Sequence, residues 1–135
     1  MLKNVLILCT GNSCRSIIAE ALINKELGWW INAHSAGVRA SGVVNENAKK
    51  ILKFQEAWSD NYYSKTLDEI LHLRFDLVVT VCDNAKANCP IFPQKTEVLH
   101  IGFTDPDGKE FEEFRNTYAD IRDILLPIVE EKLIL

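Results

Sequence analysis

An apolar run that ends in a cysteine, a turn of small polar residues and a helical pattern follow one another near the start of this chain. The run Asn4–Cys9 is short and partly β-branched, as expected for a strand buried on both faces. From Ser16 to Leu27 the apolar residues recur at helical spacing, which predicts a helix with one buried face. A strand that feeds a helix through a tight turn is typical of α/β proteins.

Short apolar runs alternate with helical patterns along the rest of the chain, which favours a parallel sheet covered on both faces. Pro127 lies inside the last helical pattern and is predicted to kink or end that helix, because proline lacks a backbone donor. We therefore predict an α/β fold, a three-layer αβα sandwich with a four-stranded parallel sheet. The predicted strands are Asn4–Cys9, Ile31–Ser35, Leu77–Val81 and Glu97–Ile101. The predicted helices are Arg15–Leu27, Glu46–Phe54, Leu67–Leu73 and Glu110–Leu133.

Composition limits the kinds of partner that such a chain has. Its 135 residues, 47% of them hydrophobic, are expected to form one catalytic domain over residues 1–135. Fifteen basic and 19 acidic residues give a net charge of −4 without a basic cluster, so no nucleic-acid partner is expected. The apolar run Val5–Leu8 is too short for a signal peptide or a membrane span, which predicts a cytoplasmic protein without a membrane partner. In that compartment its four cysteines are expected to be reduced at rest.

The turn Cys9–Ser16 places a thiol and a guanidinium six positions apart at the start of a helix. Unpaired backbone N–H groups and the helix dipole favour a tetrahedral oxyanion there. Arg15 has the planar geometry to bind two oxygens of that anion. The same positive environment is expected to lower the pKa of Cys9, which predicts a thiolate nucleophile at neutral pH.

The alternative for this turn is an ordinary buried cysteine and a surface arginine, and the bare spacing would favour it. The preceding strand, the following helix and the small residues between them favour a functional loop. Ser16 is predicted to donate a hydrogen bond to the thiolate, Asn12 to support the backbone, and Cys14 to be a packed thiol. The residues predicted to surround the oxyanion are Thr10, Gly11, Asn12, Ser13, Cys14 and Arg15.

Cys82 and Cys89 lie seven residues apart in a polar segment. Their spacing is wider than that of structural zinc ligands, so either two unrelated thiols or a redox pair remains. If the segment were helical, the two positions would lie about 10 Å apart along the axis. A disulfide needs Cα atoms within roughly 7 Å, so a bridge would require the segment to unwind.

Reactive residues of a doubly wound sheet gather beyond the carboxyl ends of its strands. Cys9 closes the first predicted strand, Cys82 follows the third and Asp105 lies just past the fourth. These three side chains are therefore expected to meet at one edge. Asp105 also fits a simple turn residue, because Thr104–Gly108 has the composition of a turn.

The octapeptide Cys9–Ser16 resembles the phosphate-binding loop shared by the low-molecular-weight protein tyrosine phosphatases and the thioredoxin-coupled arsenate reductases. The segment Thr80–Pro93 is similar to the redox segment of the reductases, and the phosphatase branch has no such cysteine pair. Gly102–Pro106 resembles the loop that carries the family's acid. The resemblance covers nearly the whole chain and implies the low-molecular-weight phosphatase fold. It is weakest at Gln55–Asp60 and at the Trp29–Trp30 pair.

This resemblance implies the reduction of arsenate to arsenite by a relay of three thiols. Cys9 would attack arsenic while Asp105 protonates the departing oxygen. Cys82 would then attack Cys9, release arsenite and leave a disulfide, which Cys89 would take over by exchange. Arsenate and thioredoxin are the implied partners, a glutaredoxin being the other possible donor. We expect a monomer that needs no cofactor.

Members of the family that bind potassium near the loop use an asparagine, a glutamate, a serine and an aspartate. Asn12, Glu20 and Ser35 match the first three, but Lys65 stands where the aspartate is expected. Either its ammonium takes the place of the cation or Lys65 is a solvated surface residue.

Two other functions fit part of the pattern. A phosphatase of the same fold would use Cys9, Arg15 and Asp105 on phosphotyrosine, and the Cys82 and Cys89 pair argues against it. An oxyanion-responsive thiol sensor would signal through the same pair, but it would not need a complete nucleophile and acid. The reductase is therefore the favoured function, with weak phosphatase side activity expected from the shared loop.

Overall fold

The computed structural model describes residues 2–92 and 96–135, and a parallel four-stranded sheet lies at its centre. β1 runs through the middle of the sheet, between β2 and β3, and its residues from Val5 to Cys9 are buried. This position explains why the first apolar run shows no alternation, since both faces of a central strand are covered. The predicted parallel sheet is confirmed. The strands are β1 (Lys3–Cys9), β2 (Ile31–Gly37), β3 (Leu77–Thr80) and β4 (Glu97–His100), in the order β2-β1-β3-β4.

Helices cover the sheet unevenly. α1 packs against β1 and β2 and is itself contacted by α2, α4 and α5, so these four helices share one face. On the other face the ring of Phe75 contacts His34 of β2 and Phe92, at 5.7 and 6.3 Å between ring centroids. Aromatic side chains and short turns therefore complete the third layer. The α-helices are α1 (Arg15–Leu27), α2 (Glu46–Phe54), α3 (Asp83–Ala87), α4 (Phe111–Asp120) and α5 (Leu126–Leu133).

The helix predicted over Leu67–Leu73 is wrong. A single 3₁₀ turn, Leu67–Glu69, forms instead. The Glu69 carboxylate accepts a hydrogen bond from the Thr66 N–H at 2.9 Å and closes a capping box around this one turn. The chain then continues through bonds between residues three apart, which is the tighter pattern of short turns. The apolar spacing that suggested a helix here reflects Ile70, which is buried, and its neighbours at the surface.

The last helical stretch runs nearly as predicted, from Phe111 to Leu133, but it is interrupted. Residues Ile121–Leu125 form a π-helical segment between α4 and α5. Pro127 stands at the start of α5 and has no N–H for the carbonyl four residues earlier. The wider π turn, closed by the Leu126 N–H on the Ile121 carbonyl, accommodates the proline without ending the helix.

One hydrophobic core joins α1, the central strands and the C-terminal helices. Phe114 of α4 is the largest of its fully buried side chains. Among the described residues, no helix has the length and apolar character needed to cross a bilayer.

Replacing Phe114 by alanine should lower the free energy of unfolding by about 3–5 kcal/mol, because it removes buried surface and leaves a cavity. Denaturant titration measures this loss. Phe54→Ala is the matched control, since that ring is 71% exposed and its removal should cost within about 0.5 kcal/mol. Equal losses for the two variants would contradict this description of the core.

Candidate active site

The catalytic loop, residues 9–16, is held from outside through its carbonyl groups. N–H groups of residues 38–45, the segment after β2, donate to four of these carbonyls at 2.9–3.0 Å. In a trans peptide the C=O and the next N–H point in opposite directions. The N–H groups of the loop therefore turn inward, and the Asn12 N–H reaches the Cys9 sulfur at 3.2 Å. The four pairs are Val38 to Cys9, Arg39 to Thr10, Ser41 to Gly11 and Asn45 to Ser13.

Two backbone positions make this close packing possible. A Cβ atom at Gly37 would lie 2.4 Å from the Thr10 carbonyl oxygen, so the end of β2 reaches the loop only without a side chain. Asn12 has φ of 50°, in the left-handed region that asparagine tolerates better than most residues. Both positions shape the loop.

The side chain of Asn12 is fully buried and orients the Ser16 hydroxyl beside Cys9. Its Oδ1 accepts the Lys65 N–H at 2.9 Å, so its Nδ2 faces the other way and donates to Ser16 Oγ at 2.7 Å. Ser16 accepts that bond and keeps its own hydrogen for the Cys9 sulfur, 2.8 Å away. Ser16 is thus placed as predicted, and Asn12 supports the loop as predicted.

Burial opposes the lowered pKa that the motif predicts for Cys9. Burial raises the pKa of the Cys9 thiol, because a charged sulfur loses its hydration there. The hydrogen bonds from Ser16 and from the Asn12 N–H, together with the positive charge of Arg15, lower it without overcoming the burial. The motif shows which groups stabilise the anion, but it does not reveal that Cys9 is only 3% exposed.

Arg15 and Asp105 meet across the mouth of the loop, a contact that the sequence does not predict. One guanidinium nitrogen of Arg15 lies 3.4 Å from the Asp105 carboxylate, and the other donates to the Phe103 carbonyl oxygen at 3.1 Å. Both side chains line a cavity of about 240 Å³ with Cys9 at its base. Its full lining is Cys9, Thr10, Gly11, Ser13, Cys14, Arg15, Ser41, Asp105 and Asp107.

Cys82 lies directly beside the catalytic loop. It forms the N-cap of α3, and its buried sulfur accepts the Ala85 N–H at 3.4 Å. The hydroxyl of Thr10 lies 3.2 Å from this sulfur and accepts a hydrogen bond from Asn84 Nδ2 at 3.1 Å. The Thr10 hydrogen is thus free to be donated to Cys82, as that of Ser16 is to Cys9. The sheet edge brings Cys9, Cys82 and Asp105 together as expected from the ends of their strands.

Cys89 lies beyond the end of α3 and is half-buried, with its S–H directed to the Pro90 carbonyl oxygen at 3.6 Å. Burial raises the pKa of this thiol. α3 spans only Asp83–Ala87, so the segment between the two cysteines is one short helix with loose ends rather than a continuous helix. Pro93, the last residue of the segment that resembles the reductases, lies outside the described residues.

Cys14 is a packed thiol, as predicted. It is 3% exposed, and burial raises its pKa to about 12. Its protonated sulfur lies 3.9 Å from the Asp107 carboxylate. Its burial and its contact with Asp107 fit a packing role rather than that of a second nucleophile.

The cluster predicted as a cation site lies directly behind the loop. Ser35 accepts a hydrogen bond from Asn12 Nδ2 at 2.9 Å and donates to the Glu20 carboxylate at 2.6 Å. Burial raises the pKa of Glu20 to about 7, while the charge of Lys65 and the Ser35 hydrogen bond lower it.

Lys65 is not the solvated surface residue of the alternative, because it is 6% exposed. Its ammonium donates to the Tyr63 carbonyl at 3.1 Å and lies 4.6 Å from the centre of the Tyr63 ring. The cluster with Glu20 thus holds a positive charge already, so its residues do not fit a resident potassium ion. Among the described residues, no group of three or more His, Cys, Asp and Glu side chains could hold a metal ion.

Three residues near the cavity were not singled out from the sequence as part of the site. Ser41 and Asp107 line the cavity, and Asn45 donates a hydrogen bond to Asp107. Asn45 stands immediately before the predicted helix Glu46–Phe54, which is the position of an N-cap. Asp107 lies two residues after the predicted acid, in the turn 104–108, which we call the acid loop. The N-cap position and the place in the turn are the signals by which the sequence could have pointed to Asn45 and Asp107.

Comparison with known proteins places the chain among phosphatases and reductases. The profile of the low molecular weight phosphotyrosine protein phosphatase family matches residues 4–131. An arsenate reductase of Bacillus cereus (strain AH187) is 44% identical over 119 residues, 88% of each chain. An arsenate reductase of Staphylococcus aureus (strain N315) is 40% identical over 120 residues, 89% of this chain and 91% of that protein. The crystal structure of an arsenate reductase from Archaeoglobus fulgidus DSM 4304 superimposes with a TM-score of 0.78 at 33% identity, covering 93% of this chain and 98% of that one.

Ser16→Ala should slow the alkylation of Cys9 at neutral pH by about tenfold, because a charge-assisted hydrogen bond to the sulfur is lost. The pKa of Cys9 should rise further. Residue-resolved mass spectrometry after timed iodoacetamide treatment, across a pH series, measures both effects. Ser13→Ala is the control, since that hydroxyl contacts Cys14 at 3.7 Å instead. Equal profiles for parent and Ser16→Ala would contradict the role of Ser16.

Potassium should not stabilise this protein more than sodium does at equal ionic strength, because Lys65 supplies the positive charge in the cluster. Thermal unfolding in the two chlorides measures the difference. Lys65→Asp should be less stable in sodium and gain a potassium-specific rise in melting temperature. A potassium-specific rise in the parent, or none in the variant, would show that Lys65 does not stand in for an ion.

Proposed function

Because the chain belongs to the low molecular weight phosphotyrosine protein phosphatase family, we propose that its catalytic loop binds arsenate and that three thiols reduce this anion to arsenite. The expected family fold is confirmed, and the protein is an enzyme. The observation that carries the proposal is the place of Cys82. Its sulfur lies 3.2 Å from the hydroxyl of Thr10, a residue of the loop that holds the nucleophile. A phosphatase needs no second thiol at this position.

The dimensions of the cavity favour a small inorganic anion. Its volume of about 240 Å³ falls below the roughly 300–1,000 Å³ of typical sites for drug-sized ligands. No aromatic side chain is among the described residues that line it. A phosphotyrosine ring would find no ring to stack on, whereas the inward N–H groups and Arg15 suit the oxygens of a tetrahedral anion.

The first step forms a bond between sulfur and arsenic. The entering arsenate dianion takes the thiol proton of Cys9 onto one of its own oxygens. Cys9 then attacks arsenic, and Asp105 delivers the second proton to the departing oxygen, which leaves as water. Arg15 exchanges its contact with Asp105 for the arsenate oxygens, and so releases the acid for this transfer.

The second step moves the electrons. The Cys82 sulfur attacks the Cys9 sulfur, a disulfide forms, and the pair of electrons of the sulfur–arsenic bond stays on arsenic, which leaves as arsenite. Cys89 then attacks Cys82, freeing Cys9 and leaving a Cys82–Cys89 disulfide. The thiols lose two electrons and arsenic gains two, so the cycle needs a dithiol reductant to close.

Thioredoxin is the proposed reductant, because Cys89, one of the two thiols of the last disulfide, is partly exposed. Cys89 is half-buried, and Ile91, two residues later, is fully exposed. Two cavities of about 450 and 480 Å³ border this stretch, and Pro90 lines both. A partner that carries a dithiol has direct access to this disulfide, while the catalytic loop stays covered.

Production of arsenite from arsenate with thioredoxin, thioredoxin reductase and NADPH tests this function. We expect one NADPH oxidised for each arsenite formed, and no turnover when any one component is left out. Replacing thioredoxin by glutaredoxin and glutathione identifies the donor. Absence of arsenite with both systems would overturn the proposal.

Slow hydrolysis of activated phosphate esters is a second activity that the site supports. Cys9, Arg15 and Asp105 line the same cavity, and hydrolysis needs only these three groups. Arg15→Lys should impair both activities, since an ammonium lacks the planar two-point contact. If ester hydrolysis proved efficient while arsenate was not reduced, the phosphatase would be the better description.

Cys89→Ser should stop after a single turnover with Cys9 and Cys82 joined, because no thiol remains to take over that disulfide. Mass spectrometry of the protein after one equivalent of arsenate identifies the pairing. Hydrolysis of an activated phosphate ester by the reduced variant should continue. Cys14→Ser is the control and should form the Cys82–Cys89 disulfide. Multiple turnovers of Cys89→Ser at the parental rate with thioredoxin would refute the relay.

A further inference from the structure

Asn45 connects three parts of the molecule through separate groups. Its backbone N–H donates to the Ser13 carbonyl in the catalytic loop at 3.0 Å. Its Oδ1 caps α2 by accepting the N–H groups of Asn47 and Ala48 at 2.8 and 3.2 Å. The remaining Nδ2 donates to the Asp107 carboxylate at 2.9 Å. One residue therefore ties the acid loop, through its side chain, to the loop that carries the nucleophile, through its backbone.

Asp107 also contacts the proposed acid, Asp105. Its backbone N–H donates to the Asp105 carboxylate at 3.0 Å. The Asp105 side chain is 53% exposed, and it also forms an ion pair with Arg15. When an oxyanion binds Arg15, the contact between Arg15 and Asp105 is lost. The Asp107 N–H then remains as a hydrogen-bond donor to the Asp105 carboxylate. Cys14, protonated on the opposite side, adds a weak S–H contact to Asp107 at 3.9 Å.

We propose that the Asn45–Asp107 hydrogen bond fixes the acid loop over the catalytic loop, and that both are positioning residues for Asp105. This inference rests on the proposed function, since it concerns proton delivery by that acid. The bond is near the surface and charge-assisted, so its loss should misplace the acid without unfolding the protein. Proton delivery matters most when the leaving group is a poor one.

Asn45→Asp is the sharpest single change. Aspartate caps a helix as well as asparagine does, so α2 keeps its start. The new carboxylate has no hydrogen to donate and repels Asp107. Hydrolysis of phenyl phosphate, a poor leaving group, should fall about tenfold. Hydrolysis of dinitrophenyl phosphate should change less than about twofold, because its leaving group needs no proton.

The double variant Asn45→Asp with Asp107→Asn exchanges donor and acceptor and restores the hydrogen bond with its direction reversed. It should recover most of the phenyl phosphate activity that Asn45→Asp alone loses. The single variant Asp107→Asn completes this double-mutant cycle. Arsenate-dependent disulfide formation in a single turnover should follow the same order. Melting temperatures of all variants show whether the fold is kept.

An Asn45→Asp variant with the parental dependence on leaving group, or a double variant without recovery, would overturn this inference. Asp105→Asn, measured in parallel, separates it from the proposed function. If Asp105→Asn loses phenyl phosphate activity while the Asn45 series does not, the acid stands and the positioning role alone fails. If Asp105→Asn also keeps that activity, the acid assignment fails and the positioning role fails with it.

Discussion

The buried amide of Asn12 is the interaction on which the rest of the site depends. It accepts one backbone N–H from Lys65 and gives its two hydrogens to Ser16 and Ser35. Both hydroxyls therefore accept from Asn12, and Ser16 lies with its own hydrogen free for the Cys9 sulfur, 2.8 Å away. Because an amide without partners would be costly at this depth, the loop has little freedom to take another shape.

The loop of Cys9 and the segment of Cys82 and Cys89 are held in the fold to different degrees. The carbonyl groups of the loop are tied to residues 38–45, and the nucleophile sits at the end of the central strand. The segment that carries Cys82 and Cys89 has one short helix with a single buried residue, Ala85. An arrangement of this kind suits the proposed relay, in which the first thiol stays in place while the last one travels.

Much of this site could be predicted from the sequence, because the carboxyl ends of parallel strands share one edge. Cys9, Cys82 and Asp105 meet for that reason. The raised pKa of Cys9 and the burial of Lys65 could not be predicted, since both depend on how deeply packing covers a side chain. The pattern at 67–73 misled because a capping box closes a single turn there, and the π segment before Pro127 has no signal beyond the proline itself.

Hydrogen exchange on the reduced protein and on the protein with the Cys82–Cys89 disulfide tests the division between a fixed loop and a moving segment most directly. A single turnover with arsenate prepares the oxidised form, and mass spectrometry verifies the pairing. The account predicts that amides of residues 83–92 lose protection on oxidation, while those of β1 and α1 keep theirs. Equal protection of residues 83–92 in both forms, with the disulfide verified, would contradict it.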